Sequence, residues 1–171
     1  MRKDAHVISA VEELLYQEYY RQASVSSVTS SHWRTVGSHS VELRDSGLAL
    51  KGDGFGFFRP DSLRSRLRYA VELRLTRGLE ERHQLDPDLR QAGVSICSRT
   101  GRLFDFDCLK QLLSLQLIQR QVDVRTLRSA CVIGDGYGFM GSVLKARWPH
   151  LTIYSVNLGR TLLFDAHFTA R

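Results

Sequence analysis

The sequence predicts an α/β protein: a mainly helical N-terminal region, then the opening β-α-β-α unit of a parallel, doubly wound sheet. Three observations predict it. Apolar residues recur at helical spacing through most of the N-terminal part. The apolar, β-leaning run Ala130-Cys131-Val132-Ile133 stops abruptly at glycine. A second such run, Leu151 through Val156, follows an amphipathic stretch, and strands alternating with helices are the signature of parallel pairing.

Taken in order, Val7, Ile8, Val11, Leu14, Leu15 and Tyr19 share one helical face, and the first helix is expected to end near Gln22. Ser24 to Ser40 is polar loop chemistry containing Trp33, expected to plug a core or line a pocket. Val41-Glu42-Leu43 and Leu48-Ala49-Leu50 flank Asp45-Ser46-Gly47 and read as a short hairpin. Gly52, Gly54 and Gly56 lie between no clear strand and helix, so a turn is expected there rather than a phosphate cradle. Asp61 or Ser62 caps a helix expected to close at Gly78, and Asp86-Pro87-Asp88 restarts a shorter one. Asp105 or Asp107 caps a third, with Leu109, Leu112, Leu113 and Leu117 on one face, widened by Phe106 and Ile118. The expected division is therefore 1–126, helical with a hairpin, and 127–171, the start of the sheet domain. Within the latter, Met140, Val143, Leu144 and Trp148 mark a helix stopped by Pro149, and Leu162, Leu163 and Ala166 open another.

Composition narrows the function classes. At 171 residues, 43% hydrophobic and 25% charged, the chain has globular proportions. The net charge of +6 rests on twenty Arg against four Lys. The densest cluster, Arg64, Arg66, Arg68, Arg74, Arg77 and Arg82, is interleaved with Glu72, Glu80 and Glu81. That pattern reads as a solvated, partly paired helix face, and no nucleic-acid partner is expected. Cys97, Cys108 and Cys131 are an odd, widely spaced set with no zinc spacing, so neither a disulfide framework nor a metal site is expected. No run nears the roughly 18 apolar residues of a membrane span. A cytoplasmic protein without a membrane partner is the expectation.

Gly134, Gly136 and Gly138 sit where the first strand meets a helix N-terminus. Glycine there lets a ligand approach the backbone and permits unusual backbone angles, while free N–H groups of the helix face the site. Asn157, 23 positions after Gly134, falls at the tip of the next strand, near the interval of about 20 at which a polar residue reaches ribose hydroxyls. Dinucleotide turns space glycines as G-x-G-x-x-G to hold a pyrophosphate. The tighter G-x-G-x-G, with Phe139 next, points to a cofactor without one, a methionine-derived sulfonium.

These residues resemble the class I S-adenosylmethionine-dependent methyltransferases. More narrowly, VIGDGYGFMGSVLKARWP (132–149) and IYSVNLGRTLLFD (153–165) are similar to the sugar O-methyltransferase family, over about 40 residues from Ala130 to His167. The resemblance implies a Rossmann-like catalytic domain behind a helical region. It also implies methyl transfer from S-adenosyl-L-methionine to a hydroxyl of a sugar, so the partner is a small-molecule or glycan acceptor. By it, Gly134, Gly136 and Gly138 form the cofactor turn, Asp135 and Tyr137 line it, and Asn157 with Leu158 contacts the adenosine. Two positions depart from the superfamily pattern: Val132 stands where many members carry an acid, and Asn157 where the strand-two acid binds the ribose. A full sheet of this class has about seven strands, so the chain is expected to be the N-terminal, cofactor-binding part of a longer enzyme, inactive by itself.

Two other readings share the pattern. One is an NAD(P)-binding oxidoreductase module, against which the glycine spacing and Asn157 argue. The other is a non-catalytic helical interaction module that self-associates through the incomplete sheet. No catalytic residue is singled out. The six histidines (His6, His32, His39, His83, His150, His167) are scattered, and a surface or packing role is expected of His167. Cys131 reads as a small core residue, and Asp165 as a solvated helical charge.

Overall fold

In the computed structural model, residues 10–22, 40–44, 47–51, 62–157 and 159–169 are described. Trp33, the Gly52–Gly56 run, Asp61, Leu158, His6, His32 and His39 lie outside them. The protein is mixed α/β and mostly helical. The order is α1 (Ala10–Gln22), β1 (Ser40–Arg44), β2 (Gly47–Lys51), α2 (Leu63–His83), α3 (Pro87–Arg99) and α4 (Phe106–Gln121). A 3₁₀ turn (Val124–Thr126) leads to β3 (Ser129–Ile133), α5 (Phe139–Arg147), β4 (Thr152–Val156) and α6 (Gly159–Thr169). β1 and β2 form the expected antiparallel pair, Val41 opposite Leu50 and Arg44 opposite Gly47. β3 and β4 pair in parallel, from Ser129 opposite Thr152 to Ile133 opposite Val156.

Capping explains the helix starts. Asp86 accepts from the N–H groups of Asp88 (2.8 Å) and Leu89 (3.4 Å) with Pro87 opening α3, and Asp105 accepts from Cys108 N (2.9 Å) to open α4. Asp123 does the same for the 3₁₀ turn through Arg125 N at 3.1 Å. The end of α2 differs from expectation, since the helix runs through Gly78 to His83. Glycine inside a helix costs only about 1 kcal/mol, and Leu79 packs against the core one residue later. The stop is Gln84 instead, left-handed at φ 49°, with Leu85 N donating to Glu80 O and Gln84 N to Glu81 O.

One apolar cluster spans both sides of the 126/127 division. Leu89 and Ile96 of α3 and Leu109, Leu112 and Leu115 of α4 pack with Phe139, Val143 and Leu144 of α5 and with Leu151. Gly93 is the close-approach point: a Cβ there would sit 2.9 Å from Leu112 Cδ1 and 3.2 Å from Phe139 Cζ. The α4 face is narrower than its sequence suggests. Leu109 and Leu112 are buried and Leu113 partly so, but Leu117 (60% exposed), Ile118 and Phe106 face solvent. Gln116 is buried in their place, where its amide joins Asp86 N to the carbonyls of His83 and Gln84 at the end of α2. On α1, Leu14 is exposed, whereas Leu15 and Tyr16 pack against Tyr137, Leu163 and Phe164 beneath α6.

The parallel sheet buries one face. Ala130, Val132 and Ile153 pack toward the core, while Cys131, Ile133, Tyr154 and Val156 are exposed on the other side. Cys131 is therefore not a core residue. Successive side chains of a strand alternate faces, and only one face is covered. The arginines of α2 that were expected to be solvated (Arg64, Arg66, Arg68, Arg74, Arg77, Arg82) are exposed. No helix among the described residues is long and apolar enough to cross a membrane.

Candidate functional site: the glycine turn between β3 and α5

The turn begins where the ladder ends. Gly134 N donates to Val156 O at 2.9 Å, one step beyond the Ile133–Val156 pair, and this brings Asn157 beside the start of the turn. All three glycines are left-handed, with φ of 73° at Gly134, 82° at Gly136 and 64° at Gly138. An L-residue adopts that region only at a cost of about 1–2 kcal/mol, so the backbone path itself demands glycine.

Space divides the two outer glycines. A Cβ built on Gly134 would meet nothing within 4 Å. One on Gly138 would lie 2.5 Å from Thr169 Oγ1 and 2.7 Å from the carbonyl oxygen of Asp165. Gly134 thus leaves room for a ligand against the backbone, whereas Gly138 lets α6 pack against the start of α5. Gly136 is buried.

Two carboxylates occupy the donors at the head of α5. Asp135 accepts from Met140 N through Oδ1 (2.9 Å) and from Gly141 N through Oδ2 (2.8 Å). Asp165 accepts from Gly138 N through Oδ1 (2.9 Å), and its Oδ2 accepts from Asn157 Nδ2 (2.9 Å). These bonds satisfy N–H groups that a helix start leaves without an intrahelical partner. Burial pushes the Asp135 carboxyl above the usual carboxylate range, against the hydrogen bonds from Gly141 and Met140 and the nearby Arg102 charge. Burial also raises Asp165, to about 6; the Asn157 bond opposes the shift and the Asp135 charge adds to it.

Asp165 is therefore not a solvated charge. It is 2% exposed and ties the glycine turn to the tip of β4. Nothing in the sequence pattern marked it, because Leu163, Phe164, Asp165 and His167 are all buried on α6 and no polar face announces the acid as inward. His167 is also buried, at 3% exposed, and so is not a surface residue. Tyr137 is buried rather than lining open space. Its ring meets Phe164 edge-on at 5.4 Å, and the Arg102 guanidinium stacks over it at 4.6 Å. Arg102 reaches this place through the end of α3, where Gly101 is left-handed (φ 70°) and Arg102 N donates to Cys97 O at 2.8 Å. Sequence reasoning passed over Arg102. Its signal was the glycine that ends α3 one residue earlier.

Of the expected site residues, Gly134, Asp135, Gly136, Tyr137, Gly138 and Asn157 are brought together, and Leu158 lies outside the described residues. Two grooves lie away from the turn. One of about 760 Å³ runs along α2 past Val71, Leu75, Leu79 and Phe106, and one of about 680 Å³ lies at the far end of α5 by Val124, Arg147 and Trp148. Among the described residues, no group of three or more His, Cys, Asp or Glu is placed to hold a metal ion. No protein-family model, curated protein or solved structure matches this chain.

Proposed function

We propose that the glycine turn binds S-adenosyl-L-methionine and that the chain carries the cofactor-binding unit of a methyltransferase acting on a hydroxyl, that of a sugar or glycan acceptor. The β3–α5–β4–α6 order then is a unit of a Rossmann-like sheet. The observation that carries the reading is the pair of carboxylates at the head of α5. A dinucleotide pyrophosphate uses those N–H groups and the positive end of the helix dipole. In this chain Asp135 and Asp165 already fill them, and their charge repels an anion while attracting a sulfonium cation. Open space at Gly134 fits a ligand laid against the backbone, and Asn157 at the neighbouring strand tip fits contact with a ribose. When bound, the cofactor supplies an electrophilic methyl group. The three unbridged thiols fit a reducing, cytoplasmic setting.

Isothermal titration of the chain with S-adenosylhomocysteine and with NAD tests this. Saturable binding of the former and none of the latter is expected, and tight binding of NAD alone would overturn it. A second reading is favoured by the exposed face of the parallel sheet, where Ile133 is 78% and Tyr154 59% exposed. On that reading the chain is an interaction module that self-associates through the sheet. It predicts no stabilisation by either compound and a mass in solution above that of one chain.

A further inference from the structure

Cys97 near the end of α3 and Cys108 in the first turn of α4 are 2% and 1% exposed, with their sulfurs 3.6 Å apart in a shared thiol hydrogen bond. We propose that this pair is a modification site: a buried dithiol that hydrogen peroxide converts to an intramolecular disulfide, locking α3 to α4 beneath the glycine turn. The proposal does not depend on the cofactor reading.

Three features set the pair apart from two core cysteines that merely touch. The separation is short, so about 1.5 Å of approach, within reach of side-chain rotation and a small helix shift, would bring the sulfurs to bonding distance. The environment is asymmetric. The thiol hydrogen bond shared with Cys108 lowers the pKa of Cys97, with Arg102 adding to the effect against burial, while the same bond and burial raise Cys108. Arg102, whose N–H is held by the Cys97 carbonyl, places its positive charge on the Cys97 side of the pair, so Cys97 takes the part of the nucleophile and Cys108 that of the resolving thiol. Position supplies the consequence, because the loop the bond would close carries Gly101 and Arg102. The carbonyl of Cys97 holds Arg102 N, and Arg102 stacks on Tyr137 of the glycine turn.

The chemistry balances. The Cys97 thiolate attacks one peroxide oxygen, the O–O bond breaks, and hydroxide leaves to become water, giving a sulfenic acid. The Cys108 sulfur then attacks Cys97 Sγ. The S–O bond breaks, and the departing hydroxide takes the Cys108 proton as a second water. Two thiols are oxidised to one disulfide, and one peroxide is reduced to two waters.

The test uses the full chain, with exposed Cys131 as internal control. The protein is treated with peroxide, denatured, alkylated with iodoacetamide and digested with trypsin before mass spectrometry. The expected product is the peptide Gln91–Arg99 linked to Leu103–Lys110, abolished by dithiothreitol and retained in Cys131→Ser. In that variant the oxidised form should melt several degrees above the reduced form, because the bond restrains the unfolded chain. Alkylation of both Cys97 and Cys108 under conditions that oxidise Cys131 would overturn the proposal. So would sulfinic acid at Cys97, or a Cys108–Cys131 link. A lower melting temperature on oxidation would overturn the lock.

Discussion

Gly134 and Gly138 are identical in sequence terms, four residues apart in one turn and both left-handed, yet they should respond very differently to alanine. At Gly134 (φ 73°) the added methyl meets open space, so the cost is the backbone strain of about 1–2 kcal/mol. At Gly138 (φ 64°) the same strain is joined by a steric clash, with the Asp165 carbonyl 2.7 Å and Thr169 Oγ1 2.5 Å from the new carbon. Overpacking costs about 1–3 kcal/mol, and moving α6 away also stretches the bond from Gly138 N to Asp165. The difference between the variants should therefore be about 2 kcal/mol. For a chain of 171 residues that corresponds to roughly 4–8 °C in melting temperature. Urea unfolding followed by circular dichroism gives the free energies. Thr169→Ala in the Gly138→Ala background should recover only part of the loss, since the Asp165 carbonyl belongs to the backbone of α6 and remains. If Gly134→Ala proves as destabilising as Gly138→Ala, then Gly138 is not the packing glycine and the division of labour in the turn is wrong.

Two further outcomes follow from the buried groups. Because the Asp165 carboxyl is raised to about 6 from 3.8, the folded protein holds that proton more tightly than the unfolded chain. Its stabilising contribution is then present below about pH 4 and lost as pH rises through about 6. On the order of 3 kcal/mol is involved, so between pH 4 and pH 7 wild type should lose stability of that order relative to Asp165→Asn, measured by urea unfolding; a difference between the two independent of pH would refute it. In α4, Leu109→Ala should cost about 2–5 kcal/mol and Leu117→Ala less than about 1 kcal/mol, since Leu109 is 0% and Leu117 60% exposed; equal losses in urea unfolding would contradict the helix face described above.

How much was legible depended on whether the cause was local. Asp86-Pro87 and Asp105 announce helix starts because a cap needs only neighbouring residues, and the strand–glycine–helix junction at Ile133-Gly134 is likewise a local pattern. What a second element decides stayed hidden. Gly78 carries a stop signal, but the packing of Leu79 keeps α2 going to His83. Cys131 looked buried because the run Ala130–Ile133 is apolar throughout, and only the uncovered sheet face reveals otherwise. Asp165 is the sharpest case: its partners Gly138 and Asn157 lie 27 and 8 positions away, and no periodicity on α6 separates it from a solvated charge.

Asp165 also bears on the departure at Asn157. Under the proposed reading, the tip of the second strand is where many class I methyltransferases carry an acid for the ribose. In this chain Asn157 donates from Nδ2 to Asp165 Oδ2 at 2.9 Å, a bond an aspartate could not make unless one of the two acids held a proton. Two carboxylates at that distance cannot both ionise, and Asp135 already adds to the local negative charge. With Asp165 buried at the turn, an amide is the side chain at 157 that keeps the polar tip without a third acid. The same bond turns Nδ2 toward α6 and so fixes the orientation of the whole amide, and with it the side from which its oxygen is presented. The buried acid of this site sits on α6, where it holds both the glycine turn and Asn157 at the strand tip.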